Sequence, residues 1–218
     1  HTILRRQRQM CIRDRLMKIL ILQNRMGIGD MIMFLPFIEA ISKKFKTPVT
    51  ILAKKNTKVE MYFNNKEIVE EIMYLEREDN KKHSGVKGFF KLVNELKLKK
   101  FDKVFIFNSS LRYFLISKFS GIKEVFHYPL FKKKNQQIIE AAKEFTLKSI
   151  GEDIESTPRL FLKEQDILKA KKDHSIDQSI TNIILGIGGS GKTKRVPASI
   201  FKSLSLIHIS EPTRPSII

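Results

Sequence analysis

Several residue types are scarce in this chain of 218 residues, and each scarcity excludes a class of protein. The chain has no tryptophan, one cysteine, seven prolines and ten glycines. These counts exclude a disulfide scaffold, a collagen-like chain and a Pro/Gly-rich low-complexity chain. The longest nearly uncharged run, 26–38, contains Asp30 and Pro36 and is shorter than the roughly 20 apolar residues of a membrane-spanning helix. We therefore expect a soluble or peripheral protein with no transmembrane segment.

The apolar and basic residues are plentiful by comparison. Hydrophobic residues make up 42% of the chain, which is enough to build a substantial core and too much for a disordered protein. The 41 Lys and Arg outnumber the 23 Asp and Glu, for a formal net charge of +18. A surface with this excess attracts anionic membranes and nucleic acids alike, so the charge alone does not choose a partner.

Both ends of the chain have the character of translated adapter DNA. Codons can be chosen for residues 10–15 so that their reverse complement encodes residues 204–209. Both runs resemble translated transposon-type sequencing adapters. We therefore expect 1–16 and 204–218 to be foreign, the alternative being a natural basic arm and tail. The only cysteine, Cys11, falls in the first of these segments, so no thiol chemistry is expected, and the remainder is expected to be an incomplete fragment.

Strands and helices are predicted to alternate along the body of the chain. The predicted strands are 18–23, 48–53, 68–75, 103–107 and 124–127, and the predicted helices are 31–45, 57–63, 86–98, 111–119 and 135–150. The strands are short, continuous apolar runs, as expected for buried parallel strands, and the helices carry apolar stripes, such as Phe89, Phe90, Val93 and Leu96. Such alternation predicts an α/β fold with a doubly wound parallel sheet.

The composition changes at 151–158, which marks a predicted domain boundary. Residues 17–158 form the first predicted domain. Residues 159–203 are predicted to be a linker and the truncated start of a second α/β domain, with a helix over 164–172, a strand over 181–185, a glycine-rich loop, and a helix restarting at Pro197.

The glycine-rich loop, Gly186 to Thr193, matches the phosphate-binding pattern G-x-x-x-x-G-K-[ST] and follows a predicted strand. A P-loop NTPase is therefore one interpretation, although Pro197 would break the helix that a P-loop requires. A second interpretation is a diphosphate cradle, in which loop N–H groups and lysines bind a leaving diphosphate. A third is a flexible lysine-rich loop.

Asp30 follows the first predicted strand, at the edge where open α/β sheets bind ligands. The preceding Gly27 and Gly29 only weakly match a dinucleotide-binding motif, because Ile32 replaces the third glycine. From local sequence Asp30 is either a site residue or the N-cap of a helix that begins at Met31.

Taken in order, these segments resemble glycosyltransferase family 9, the ADP-heptose:lipopolysaccharide heptosyltransferases. The segments that carry the resemblance are 17–21, 26–30, 35–36, 43–45, 65–72, 101–104, 110–112, 120–121 and 188–197. Val196 departs from the tryptophan that is usual in the last of them. The resemblance covers nearly all of 17–203, and no single motif carries it.

The resemblance implies a GT-B fold with a Rossmann-like acceptor domain, a Rossmann-like donor domain and chemistry in the cleft between them. It implies inverting transfer of a heptose or related sugar from a nucleotide-diphosphate sugar, with ADP-heptose as the expected donor. Asp30 would be the catalytic base. The residues implied in donor binding are Lys194, Lys192, Thr193, Ser190 and Gly189. Arg112 would bind the anionic acceptor, or else is a surface arginine at a helix start.

The implied acceptor is an anionic lipid-linked glycan, lipopolysaccharide core or a related surface glycan. The expected location is the cytoplasm, at the inner face of the inner membrane. No metal ligand set is present and no cofactor is expected beyond the nucleotide-sugar co-substrate. A non-catalytic basic α/β binding module is the other alternative. We expect no nucleic-acid partner, because Phe89, Phe90, Phe105 and Phe107 lie on core-type stripes and no nucleic-acid motif is recognisable.

Overall fold

The structure is a computed structural model that describes residues 17–25, 27–63, 66–78, 81–130, 137–160, 162, 164–177, 179–180, 182 and 196–203. The strands are Ile19–Gln23 (β1), Val49–Ala53 (β2), Val69–Tyr74 (β3), Lys103–Ile106 (β4) and Glu124–His127 (β5). The α-helices are Ile28–Phe45 (α1), Gly85–Lys99 (α2), Leu111–Phe119 (α3), Ile138–Ile150 (α4) and Glu164–Asp173 (α5). Residues 198–203 are also helical.

The five strands form one parallel sheet in the order β3-β2-β1-β4-β5. β1 lies at its centre, with Ile21 beside Ile51 of β2 and Phe105 of β4. Every residue of β1 and β2 is buried, which explains why both read as continuous apolar runs. The predicted α/β fold with a Rossmann-like parallel sheet is confirmed.

Helices cover both faces of the sheet. Ile19 and Ile21 of β1 belong to the core beneath α1 and α4, whereas Leu20 and Leu22 belong to the core beneath α2 and α3. This alternation follows from the period of two along a strand. Each fully buried aliphatic side chain contributes about 1.5–3 kcal/mol. The first core is rich in aromatic contacts, including Phe105 stacked on Phe126 with ring centroids 4.7 Å apart.

Two sequence-based boundaries are wrong. α1 begins at Ile28 rather than Met31, because Gly27 turns the chain into the helix at a φ of 105°. Residues 57–63 do not form one helix. They contribute to two 3-10 segments, Lys55–Thr57 and Val59–Met61, separated by Lys58 in the left-handed conformation. Apart from the predicted strand 181–185, the other predicted strands and helices begin and end within two residues of the observed ones wherever the structure describes those residues.

The predicted apolar stripe of α2 is also partly wrong. Val93 and Leu96 are buried as expected and Phe89 is half-buried, but Phe90 is exposed and Leu92 lies in the core instead. At about 100° per residue, Phe90 is rotated away from the sheet, because Leu92, Val93 and Leu96 already fill that side of the helix.

The described residues fall into two compact units, one ending before 162 and the other starting there. The first contains the sheet and α1–α4. The second contains α5, of which no residue is buried, and the helical residues 198–203. The adapter-like segments 1–16 and 204–218 and the predicted strand 181–185, apart from Asn182, lie outside the described residues. No helix in the described ranges has the length and apolar character to cross a bilayer.

Candidate functional site

The strand order places a crevice at the carboxyl edge of the sheet, between β1 and β4. The chain leaves β1 for α1 on one face and leaves β4 for α3 on the other. Parallel α/β sheets bind ligands where the connections diverge in this way. The residues that follow Gln23 and Ile106 are therefore the first candidates for a site.

A side-chain hydrogen bond joins the two loops of this crevice. Asn108 Nδ2 donates to Asn24 Oδ1 at 2.8 Å, which ties the end of β4 to the end of β1. Asn108 Oδ1 also accepts from the backbone N–H of Ser110 at 2.7 Å, and Gln23 Oε1 accepts from the N–H of Arg25 at 2.7 Å. These bonds fix both loops against the sheet. A rigid frame of this kind is what a positioned catalytic group needs.

Asp30 lies beside this frame, as the third residue of α1. The N-cap of the helix is Gly27, and no side chain caps it, so the N-cap interpretation of Asp30 is wrong. The reason is the positive φ of Gly27, which starts the helix one turn earlier than a side-chain cap at Asp30 would. Asp30 is partly exposed and forms no hydrogen bond or ion pair with any residue that the structure describes. Its carboxylate is thus not engaged by the residues described.

Two buried polar groups near the same edge were not singled out from the sequence. Gln23 is fully buried, and its Nε2 has no hydrogen-bond partner among the described residues. The hydroxyl of Tyr128, which follows β5, is likewise buried without a described partner, and burial raises the pKa of this phenol despite the nearby Arg25. A lone amide at the end of an apolar strand was the only sequence signal for Gln23. Unpaired buried polar groups of this kind are suited to an ordered water.

One nitrogen of the Arg112 guanidinium is hydrogen-bonded to backbone carbonyls of the protein itself. Its Nη2 donates to the carbonyl oxygens of His83 at 3.1 Å and Gly85 at 2.8 Å, and its guanidinium lies 5.4 Å from the centre of the Phe89 ring. Partial burial lowers the pKa of Arg112, and the like charge of Arg77 lowers it further. Arg112 therefore holds the start of α2 against α3. A contact with an acceptor stays a prediction.

His83, for which the sequence analysis predicted no role, is a buried residue of the segment that leads into α2. Its Nδ1 accepts from the N–H of Glu76 at 3.1 Å, so Nε2 carries the proton and donates to Glu95 Oε2 at 3.2 Å. Glu95 also binds Lys82 Nζ at 2.8 Å. Burial acts to raise the pKa of Glu95, but the bonds from Lys82 and His83 outweigh it and hold that pKa below its ordinary value.

A cationic cavity of about 520 Å³ opens at the start of α2. Its lining consists of Lys81, Lys82, Ser84, Gly85, Val86, Lys87, Gly88 and Lys91. Lys81 and Lys82 pair with Glu78 and Glu95 at 3.7 and 2.8 Å, whereas Lys87 and Lys91 form no ion pair among the residues described. The cavity thus carries a net positive charge.

The predicted donor-binding residues lie outside the described residues. This applies to Lys194, Lys192, Thr193, Ser190 and Gly189 and to the whole motif from 186 to 193. Their roles stay predictions. Within the described ranges, no three His, Cys, Asp or Glu side chains are grouped so that they could hold a metal ion.

Solved structures share this fold. A family 9 glycosyltransferase from Veillonella parvula DSM 2008 matches with a TM-score of 0.63 and 16% identity, covering 87% of this chain and 59% of its own. ADP-heptose lps heptosyltransferase II from E. coli matches with a TM-score of 0.60 and 19% identity, covering 89% and 62%. The E. coli heptosyltransferase WaaC with ADP matches with a TM-score of 0.52 and 14% identity, covering 89% and 65%.

These matches confirm the predicted likeness to family 9 at the level of the fold. The chain spans about three fifths of the length of the first two structures. No family model matches the sequence, and no curated protein matches it.

Proposed function

We propose that this chain is part of a family 9 glycosyltransferase that moves a heptose, or a related sugar, from a nucleotide-diphosphate donor to lipopolysaccharide core or a related surface glycan. One observation carries the proposal. Asp30, in the first turn of the helix that follows β1, is partly exposed and has no partner among the described residues, on a fold shared with solved heptosyltransferases.

The proposed reaction is an inverting displacement. Asp30 takes the proton of an acceptor hydroxyl, whose oxygen forms a bond to the anomeric carbon of the donor sugar. The bond from that carbon to the diphosphate oxygen breaks, and the electron pair leaves with the nucleoside diphosphate. The Asn24–Asn108 bond keeps the two loops of the crevice in place while this occurs. A general base that is correctly positioned contributes about 10²–10⁴-fold to such a step.

The leaving diphosphate needs positive charge and N–H donors, because negative charge accumulates on it in the transition state. We assign this part to Lys194, helped by Lys192 and the loop residues Gly189, Ser190 and Thr193. The complete activity belongs to a longer protein, since this chain spans about three fifths of the matched structures. We expect the chain by itself to be inactive.

The role of Asp30 is tested on the full-length enzyme, expressed from the extended gene. Asp30→Asn should lower kcat by about 10²–10⁴-fold and leave the KM for the donor nearly unchanged. Glu39→Gln is the matched control, because Glu39 is a partly exposed carboxylate of the same helix whose ion-pair partner among the described residues is Lys43. Equal turnover in Asp30→Asn and wild type would exclude Asp30 as the base.

The donor assignment has its own test. Lys194→Ala should weaken binding of ADP-heptose in calorimetry, whereas Lys202→Ala, an exposed lysine of the helical residues 198–203, should not. Full activity in excess EDTA is expected, since the proposal uses no metal. An enzyme that hydrolyses ATP and transfers no sugar would contradict the proposal and favour a P-loop NTPase.

The proposed partners are the nucleotide sugar and an anionic lipid-linked glycan acceptor, with no nucleic acid. The enzyme would work in the cytoplasm, at the inner face of the inner membrane. Fractionation of cells that express the full-length enzyme tests this location. Recovery of all the enzyme in the soluble fraction at low salt would contradict it.

A further inference from the structure

One outer surface of the first compact unit combines large apolar side chains with lysines. We call it the α2 face. Its apolar members are Val86, Phe90, Leu98 and Phe119, with 73%, 59%, 81% and 63% of their surface exposed. Its lysines are Lys87, Lys91 and Lys97. Apolar side chains exposed together in this way mark a surface that contacts a partner or a membrane.

The geometry of the helix and one aromatic contact bring these residues together. At about 100° per residue, Val86 and Phe90 share one strip of α2, and Lys87 and Lys91 lie on the adjacent strip. The ring of Phe89 contacts Phe90 and Phe119, with centroids 5.3 and 6.0 Å apart. Phe119 of α3 therefore belongs to the same surface.

The positive charge of the α2 face is not neutralised by its neighbours. The nearby carboxylates Glu95 and Glu71 pair with Lys82 and Lys99, which are not among the lysines of the α2 face. Lys87, Lys91 and Lys97 form no ion pair in the part of the chain that the structure describes. Lys87 and Lys91 also line the cationic cavity, so positive charge lies directly beside exposed apolar side chains.

We propose that the α2 face docks this protein on an anionic lipid bilayer. Phe90, Phe119 and Val86 enter the boundary between headgroups and acyl chains, and the lysines bind the lipid phosphates. A bilayer offers apolar depth and negative charge in one plane, which matches this composition. Nucleic acid would attract the lysines, but it would gain nothing from exposed Val86 and Leu98. The inference rests on the proposed function, in which the acceptor is lipid-linked.

The first test uses the absence of tryptophan from the chain. Phe90→Trp and Phe119→Trp each place a single fluorophore on the α2 face, and Met61→Trp places one at a 61% exposed site elsewhere. With vesicles of equal parts phosphatidylglycerol and phosphatidylcholine, the first two should shift to shorter wavelength and be quenched by brominated acyl chains. Met61→Trp should show neither change.

The second test separates the surface from net charge. Lys87→Glu with Lys91→Glu should weaken partitioning into these vesicles by at least about 30-fold, since each basic residue near an anionic bilayer contributes a factor of about five. Lys55→Glu with Lys58→Glu changes the net charge equally on exposed residues outside the α2 face and should have a smaller effect. Phosphatidylcholine vesicles alone should bind weakly.

Three outcomes would overturn the inference. The first is that the two double lysine variants lose vesicle partitioning to the same extent. The second is that the emission of both tryptophans on the α2 face stays unchanged when the protein is bound to vesicles. The third is that RNA, or a raised protein concentration without vesicles, shifts this emission. Circular dichroism shows whether each variant is folded. Because Phe90→Trp and Phe119→Trp report on the same surface independently, the misfolding of one leaves the other as a test. The vesicle experiments contain neither donor nor acceptor. A failure to bind vesicles would therefore overturn the docking inference alone, and sugar transfer is tested separately with an acceptor dissolved in detergent.

Discussion

Replacement of Gly88 by alanine is the sharpest test of the structure around α2. A Cβ at this position would lie 2.2 Å from the carbonyl carbon of His83, 2.6 Å from its Cα and 2.7 Å from its carbonyl oxygen. All three are backbone atoms, so a rotamer change cannot relieve the clash. Ordinary contact begins near 3.4 Å, and the two segments must therefore separate by more than 1 Å.

Such a shift would strain the bonds that hold His83. Its N–H donates to the carbonyl of Glu76 at 2.8 Å, its carbonyl accepts from Arg112, and its ring binds Glu95. Overpacking costs about 1–3 kcal/mol, and each hydrogen bond lost costs about 1 kcal/mol more. The higher helix propensity of alanine relative to glycine offsets this loss by up to about 1 kcal/mol. We expect a net loss of about 2–4 kcal/mol from the free energy of unfolding.

The assay is urea unfolding followed by far-ultraviolet circular dichroism, with amide hydrogen exchange of α2 to localise the effect. Gly29→Ala is the matched control, because Gly29 lies in the first turn of α1 with no atom within 4 Å of an added Cβ. It should be neutral or stabilise by up to about 1 kcal/mol. If Gly88→Ala were as stable as Gly29→Ala, the close packing of His83 on α2 would be refuted.

Three further predictions concern single side chains. Arg112→Lys should lower stability nearly as much as Arg112→Ala in thermal unfolding, because a lysine cannot donate to two carbonyls from one planar group; full rescue by lysine would exclude the positioning role. Since the folded pKa of Glu95 is lowered, its charge stabilises the fold above pH 4.5 and this contribution is lost as the pH falls further. Glu95→Gln should therefore flatten the acid limb of a stability-against-pH curve, and an unchanged limb would contradict this. Burial and the bond to Glu60 raise the pKa of Tyr74 to about 12. Tyr74→Phe should therefore remove one ionisation near pH 12 from the absorbance titration at 295 nm. Loss of an ionisation near pH 10 instead would contradict this assignment.

The alternation of strands and helices could be predicted because it depends on local composition. A central parallel strand is covered on both faces, so β1 and β2 are mostly apolar, and their runs stand out in the sequence. α3 and β5 were also predicted with their observed bounds. The start of α1 was missed, because it depends on the backbone conformation of Gly27 and not on a side-chain cap.

Some features of the candidate site could be predicted from the sequence, and others depend on the folded chain. Asp30 could be named from its place after the first apolar run and from the family resemblance. Its lack of a capping bond, and the bond between Asn24 and Asn108, 84 residues apart, depend on the folded chain. The exposure of Phe90 could not be inferred from the stripe pattern, since neighbouring Leu92 competes for the same core.

The sequence by itself determined the fold class, because burial between two layers of helices requires apolar runs of fixed length and period. It also determined the excess of positive charge. Only the tertiary structure decided where that charge lies and what accompanies it. His83, Glu95 and Arg112 are distant in sequence, yet their bonds fix the segment before α2, and packing turns Phe90 outward beside Lys87 and Lys91. The bond of Arg112 to His83 depends on how α3 packs beside the start of α2, which no local pattern contains.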